Sequence, residues 1–201
     1  MPGDFDDDPG VRWMRAWQKG DESAFDALVE AYSGQVYALL TRFLGARANR
    51  EDLVQEVFLR VVRARERYEP SARFSTFLFR IAYNISVNET QRTIAREAGN
   101  VELGDEPQPG GPALAQFEDQ RVPAPGAALE RDDVVREVRA AIARLPENQR
   151  MALLLAKYEE LPYDEIAEVL GSSEKAIKSL IHRARENLRQ SLGTLLEGEE
   201  A

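Results

Sequence analysis

Residues 161–189 read LPYDEIAEVLGSSEKAIKSLIHRARENLR, two helices meeting at a glycine turn. Ile166 and Ala167 face inward on the first helix, and Leu170 closes it one turn later. Gly171 falls where the chain turns sharply, a place suited to a residue that tolerates positive φ. Ser173 is placed to cap the next helix, whose apolar stripe is Ile177, Leu180 and Ile181. The small Ala167 lets the two helices approach closely. The remaining face carries Lys175, Lys178, Ser179, His182, Arg183 and Arg185. An αα-hairpin inside an ordinary helical core has the same apolar spacing but no use for that charge. The layout predicts a helix-turn-helix whose second helix enters a DNA major groove.

Around this stretch the composition is that of a foldable globular chain, with 43% hydrophobic and 30% charged residues among 201. There are no cysteines, so disulfides and thiolate metal sites are excluded. The opening MPGDFDDDPG has neither a basic nor an apolar signal region. No apolar run approaches the roughly 20 residues of a membrane span. A cytoplasmic location is expected. No Gly-rich phosphate loop and no metal-ligand spacing is present, and His182 is the sole histidine, so neither cofactor nor metal nor catalysis is expected.

The net charge of −9 sits oddly beside a DNA-reading helix until it is divided along the chain. Residues 60–96 hold eight Arg against three Glu, and residues 172–192 hold five Lys or Arg against two Glu. The intervening 97–133 has nine acids and two Arg, and residues 1–30 have eight acids and three bases. Glu197, Glu199 and Glu200 close the chain. Two basic islands therefore lie in an acidic frame, which suppresses tight non-specific DNA binding and implies a partner that assists the contact.

The periodicity predicts an all-α fold of two small helical domains. Helices are expected over 21–44, 50–68 and 74–90 in a domain spanning 11–96, and over 131–144 and 147–158 ahead of the helix-turn-helix in a domain spanning 131–192. Asn49 is placed to cap the second of these. Between the domains, 97–130 is Pro-, Gly- and acid-rich without periodicity and reads as a flexible linker. The tail beyond Leu192 is expected to fray.

Two surfaces in the first domain stand out. Asp52, Gln55 and Glu56 recur at the spacing that groups them opposite the apolar stripe of Leu53, Val54, Val57, Phe58, Val61 and Val62. Further on, Phe77, Phe79, Arg80, Tyr83, Asn84 and Asn88 interleave rings, cation and amides, a combination that stacks on unpaired bases and bonds their edges. Any one of these aromatics, like Phe74, Ile81 and Ile85, also fits a core position. Asn84 and Asn88, one turn apart beside Arg80, fit a polar task better, since Asn is a mediocre helix former.

EDLVQEVFLRVVRARERYEPSARFSTFLFRIAYNISVN and LPENQRMALLLAKYEELPYDEIAEVLGSSEKAIKSLIHRARENL resemble the two domains of bacterial sigma factors, in particular the extracytoplasmic-function (ECF) group of the sigma-70 family. The resemblance implies binding to core RNA polymerase through its clamp helices and flap, recognition of promoter DNA, control by a regulatory anti-sigma factor, and transcription of a stress- or signal-responsive regulon. It implies that Asp52, Gln55 and Glu56 meet the polymerase. It implies that Phe77, Arg80, Tyr83, Asn84 and Asn88 serve the −10 element, with 68–76 as specificity loop. The −35 element would fall to Ser173, Lys175, Ala176, Lys178, Ser179, His182, Arg183 and Arg185. Phe77 stands where such proteins often carry Trp, Pro162 where a Ser cap is usual, and Leu180 where an Arg is common. These departures bear on promoter sequence rather than on function. The alternative, a one-component helix-turn-helix transcriptional regulator, leaves DLVQEVF without a purpose and requires a sensing domain that is not readable here.

Overall fold

A computed structural model describes residues 5–45, 49–98 and 128–196. Among them there are eight α-helices and no strand: α1 (Pro9–Gln18), α2 (Glu22–Leu44), α3 (Arg50–Ala64), α4 (Phe74–Glu97), α5 (Ala128–Ala143), α6 (Glu147–Tyr158), α7 (Tyr163–Leu170) and α8 (Glu174–Leu196). A 3₁₀ turn, Arg65–Arg67, follows α3. The helices form two compact units, α1–α4 and α5–α8. Most of the expected linker, residues 99–127, lies outside the described residues, as do Glu197, Glu199 and Glu200.

In the first unit α2 packs on α1, α3 and α4, and the core is filled by Val11, Met14, Leu28, Leu39, Leu40, Phe43, Val57, Phe74 and Leu78. The short α1 starts where Pro9 presets φ and Asp8 accepts a hydrogen bond from the Val11 N–H at 2.8 Å. The same carboxylate oxygen accepts from the Phe74 N–H at 3.4 Å, so one side chain serves the starts of α1 and α4. Burial, and secondarily the Asp8 charge, push the Tyr32 and Tyr68 phenols up to about 12. At the other end of α1, Trp17 stacks on Phe25 (centroids 4.5 Å apart) and donates to Glu22 at 3.0 Å. The Arg65 guanidinium lies 4.5 Å over the Trp17 ring, and Gln18 donates to the Arg65 and Tyr68 carbonyls at 2.7 and 3.0 Å.

In the second unit α8 packs on α5, α6 and α7 around Met151, Leu154, Leu155, Ile166, Ile177 and Ala184. Arg150 donates to the carbonyls of Ala143 and Leu145 at 2.6 and 3.0 Å, closing the end of α5, and burial lowers its pKa. Asn187 on α8 donates to Gln149 on α6 at 2.9 Å.

Several boundaries depart from the sequence expectation. Helix α4 continues to Glu97 because QRTIARE contains no breaker before Gly99. Helix α5 begins at Ala128, inside the span assigned to the linker, once the prolines end at Pro125. The expected fraying after Leu192 gives way to helix through Leu196, since Gly193 is tolerated there. Asn49 occupies the cap position of α3 but its amide turns to the Asp52 carboxylate instead of capping.

The approach of α1 to α4 depends on Gly10. A Cβ there would stand 2.6 Å from Phe74 Cβ and 2.7 Å from the Tyr32 hydroxyl. Gly10→Ala is therefore expected to destabilise the protein by about 1–2 kcal/mol, overpacking outweighing the better helix propensity of Ala. Urea unfolding followed by circular dichroism checks this; unchanged stability would mean that α1 is not seated so closely.

Candidate nucleic-acid interface

The turn before α8 is built from backbone bonds. Gly171 takes the left-handed conformation (φ 59°, ψ 42°), the Ser172 N–H bonds the Ala167 carbonyl at 2.9 Å, and the Gly171 N–H reaches that of Glu168 at 3.4 Å. This is the Schellman arrangement, and it satisfies carbonyls that the end of α7 leaves open. Ser173 Oγ then accepts from the Ala176 N–H at 3.3 Å, the cap expected for α8. Pro162 precedes α7 without a side-chain cap.

With Ile177, Ile181 and Ala184 buried, α8 leaves Lys175, Lys178, His182, Arg183 and Arg185 exposed, and Ala176 and Ser179 partly covered. Leu170 and Leu180, expected inside, are only half-buried, while Val169 joins the core. Positions 175, 178, 179, 182 and 183 follow the helical repeat and share one face. Lys178 pairs with Glu174 at 2.6 Å, and that hydrogen bond raises the ammonium pKa. A phosphate or base contact by Lys178 has to displace Glu174, a partner not foreseen from the sequence.

On α4 one face is core: Phe74, Leu78, Phe79, Ala82 and Ile85 are buried. Phe79, expected among the stacking rings, is 1% exposed and belongs to that core; its position lies about 140° round the helix from Asn84. Arg80, Asn84 and Asn88 are exposed, and Phe77 is half-buried in the same helical register. Phe77 is held by Tyr68 and Phe74, with ring centroids 5.0 and 5.9 Å away. Tyr83 is half-buried and lies about 100° round from Asn84, on the flank of this face. Of the loop before α4, Glu69, Ser71 and Arg73 are exposed, whereas Tyr68 and Ala72 are buried, as is Thr76 just inside α4.

On α3, Asp52 is exposed and Gln55 and Glu56 are half-buried. Glu56 accepts from Arg60 at 2.9 Å and lies 3.8 Å from Arg63. The face also carries Leu59 and Val62, 44% and 40% exposed, of which Val62 was expected in the apolar stripe. Leu59 was not singled out, although its step of seven from Asp52 places it on the same side. The surface is thus an acidic and amide edge with two exposed apolar side chains beside it.

Among known proteins, the Sigma-70 region 2 family matches residues 28–93 and the Sigma-70, region 4 family matches residues 135–188. The RNA polymerase sigma-H factor of Pseudomonas aeruginosa is 33% identical over 181 residues, covering 89% of this chain and 91% of the relative. The ECF RNA polymerase sigma factor SigW of Bacillus subtilis is 32% identical over 183 residues, covering 89% and 94%. The structure of CnrH in complex with the cytosolic domain of CnrY is similar at TM-score 0.66 and 22% identity, over 93% of this chain and 99% of that one. The sigma factor RpoE in complex with the anti-sigma factor NepR from Bartonella quintana gives 0.59 and 21%, over 84% and 96%. At such identities the two structures speak to the fold.

The different surroundings of the two phenylalanines have a measurable consequence. Phe79→Ala is expected to cost about 3–5 kcal/mol, and Phe77→Ala distinctly less, in denaturant unfolding of the full chain. Equal losses would place Phe77 in the core beside Phe79.

Proposed function

The chain belongs to the ECF group of sigma-70 RNA polymerase sigma factors, and we propose that its two helical units divide promoter recognition between them. Within residues 11–96, Asp52, Gln55 and Glu56 with the neighbouring Leu59 bind core polymerase, and the exposed face of α4 captures the opened −10 element. Within 131–192, the exposed face of α8 reads the −35 element as duplex. The protein acts in the cytoplasm as an initiation factor, without catalysing a reaction itself, and an anti-sigma factor of the kind bound to RpoE regulates its availability.

The observation carrying this reading is the position of Asn84 and Asn88, exposed one turn apart beside Arg80 and above the half-buried Phe77. A base taken out of the stack costs a few kcal/mol, which an enclosing protein offsets by bonding its edge and stacking on its face. An Asn amide supplies a donor and an acceptor, and Phe77 supplies a ring on the same face. On α8, an Arg bidentate to guanine discriminates bases, while a Lys on phosphate adds salt-dependent affinity. Arg183 and Lys178 suit these two tasks.

The decisive experiment is Asn84→Ala. The variant is expected to fold, to bind core polymerase and to recognise −35 duplex, but to open duplex promoter at least about tenfold less well, one lost hydrogen-bonded contact being worth about that much. A template already unpaired across the −10 element should restore part of its activity. Permanganate footprinting of unpaired thymines is the readout, and opening equal to wild type would remove base capture from Asn84.

The polymerase-facing surface makes a separate expectation. Charge reversal at Asp52 and Glu56, or Leu59→Asp, should weaken core polymerase binding at least about tenfold, as when central interface residues are lost. Stability should fall by only about 1–2 kcal/mol, from the lost Glu56–Arg60 pair and the cation placed in the first turn of α3, too little to unfold the unit. Unfolding with normal polymerase affinity would make the surface structural.

A further inference from the structure

The segment joining α3 to α4 is held at both ends by the short α1. At its start, Gln18, the last residue of α1, donates to the Arg65 and Tyr68 carbonyls at 2.7 and 3.0 Å. At its end, Asp8, the cap of α1, accepts from the Phe74 N–H at 3.4 Å. These bonds cross 47, 50 and 66 positions of the chain. A surface loop meets its hydrogen-bonding needs from water, so folding alone does not call for a side chain that reaches two of its carbonyls. Between the two anchors Glu69, Ser71 and Arg73 stand exposed, and Arg73 lies one turn ahead of Phe77.

The anchors fix the ring on the exposed face of α4. Tyr68, whose carbonyl Gln18 holds, is buried and packs edge-on against Phe77, with centroids 5.0 Å apart. Phe74, whose N–H Asp8 holds, has its ring 5.9 Å from Phe77. Phe77 is therefore seated between two residues, each tied through its backbone to α1.

We infer that α1 is a brace for −10 recognition, in which Gln18 and Asp8 are positioning residues that set Phe77 and the 69–73 loop against the captured strand. The inference rests on the proposed capture of that strand by the exposed face of α4. Gln18 acts through Tyr68, and Asp8 acts through Phe74. Discrimination between bases needs contacts held to within about 0.5 Å, so loosening the brace lowers selectivity before it unfolds the unit.

The test uses polymerase holoenzyme reconstituted from core enzyme and the full chain. The probes are the −10 single strand that wild type selects from a randomised pool, and copies of it with one base replaced. Gln18→Met keeps the length of the side chain but cannot donate. It should narrow the ratio of affinities between selected and replaced strands about three- to tenfold, the worth of one hydrogen bond. Asp8→Ala should do the same, while Asp8→Asn, which retains the acceptor, should select as wild type does. Val36→Ala opens a cavity in the core of the same unit and reports what lost stability does by itself. Wild-type selectivity in Gln18→Met overturns the inference, and so does an equal narrowing in Val36→Ala. Asn84→Ala, measured on the selected strand, reports base capture. Undiminished affinity there removes the capture reading, whereas a loss there with intact selectivity in Gln18→Met removes the brace alone.

Discussion

The carboxylate of Asp8 and the bare Cα of Gly10 hold the first turns of α1 and α4 against each other, and the surface carried by α4 depends on that contact. Helix α4 buries Phe74, Leu78, Phe79, Ala82 and Ile85 on one side while exposing Arg80, Asn84 and Asn88 on the other. Most of the stability of such a helix comes from packing of its buried face rather than from propensity. Gly10 lets α1 approach the Phe74 ring without a clash, and Asp8 satisfies an N–H at the start of α4 that Arg73, the residue preceding the helix, leaves uncapped. The amides stay outward because the opposite face is seated.

The second unit solves the same problem with different means. Gly171 and Ser173 terminate one helix and start the next within a few residues, so α7 and α8 are set at an angle by local backbone chemistry. Long-range contacts then hold α8 on α6, through Asn187 with Gln149 and through the apolar side chains beneath. The Glu174–Lys178 pair covers part of the exposed face. It is exposed and worth little to stability, so it is easily exchanged for a contact with DNA.

Electrostatics follow the same division. The chain carries −9 overall, yet its exposed helical faces on α4 and α8 are cationic or amide-bearing. Phosphate contacts depend on local charge, within about a Debye length, whereas the net charge opposes weak general adhesion to nucleic acid. An acidic chain with two cationic faces suits a subunit that engages DNA in company with a larger partner.

How far the sequence alone reaches is visible in particular residues. Gly171, Ser173 and the stripe of Ile177 and Ile181 were legible because turn chemistry and helical period are local properties, as were the exposed Arg80, Asn84 and Asn88. The division of the aromatics on α4 was not. Phe77 and Phe79 are chemically identical, and only the neighbours in space, Tyr68 and Phe74 against the buried core, decide which ring remains near the surface. Val62 was misjudged, and Leu59 passed over, for the same reason, since period marks a side as apolar but not whether another helix covers it. Asp8 bonding Phe74, and Gly10 facing the same ring, join residues more than sixty positions apart. Local spacing therefore determined which residues share a face, and tertiary packing decided which faces are left open, because burial is settled by contacts distant in the chain.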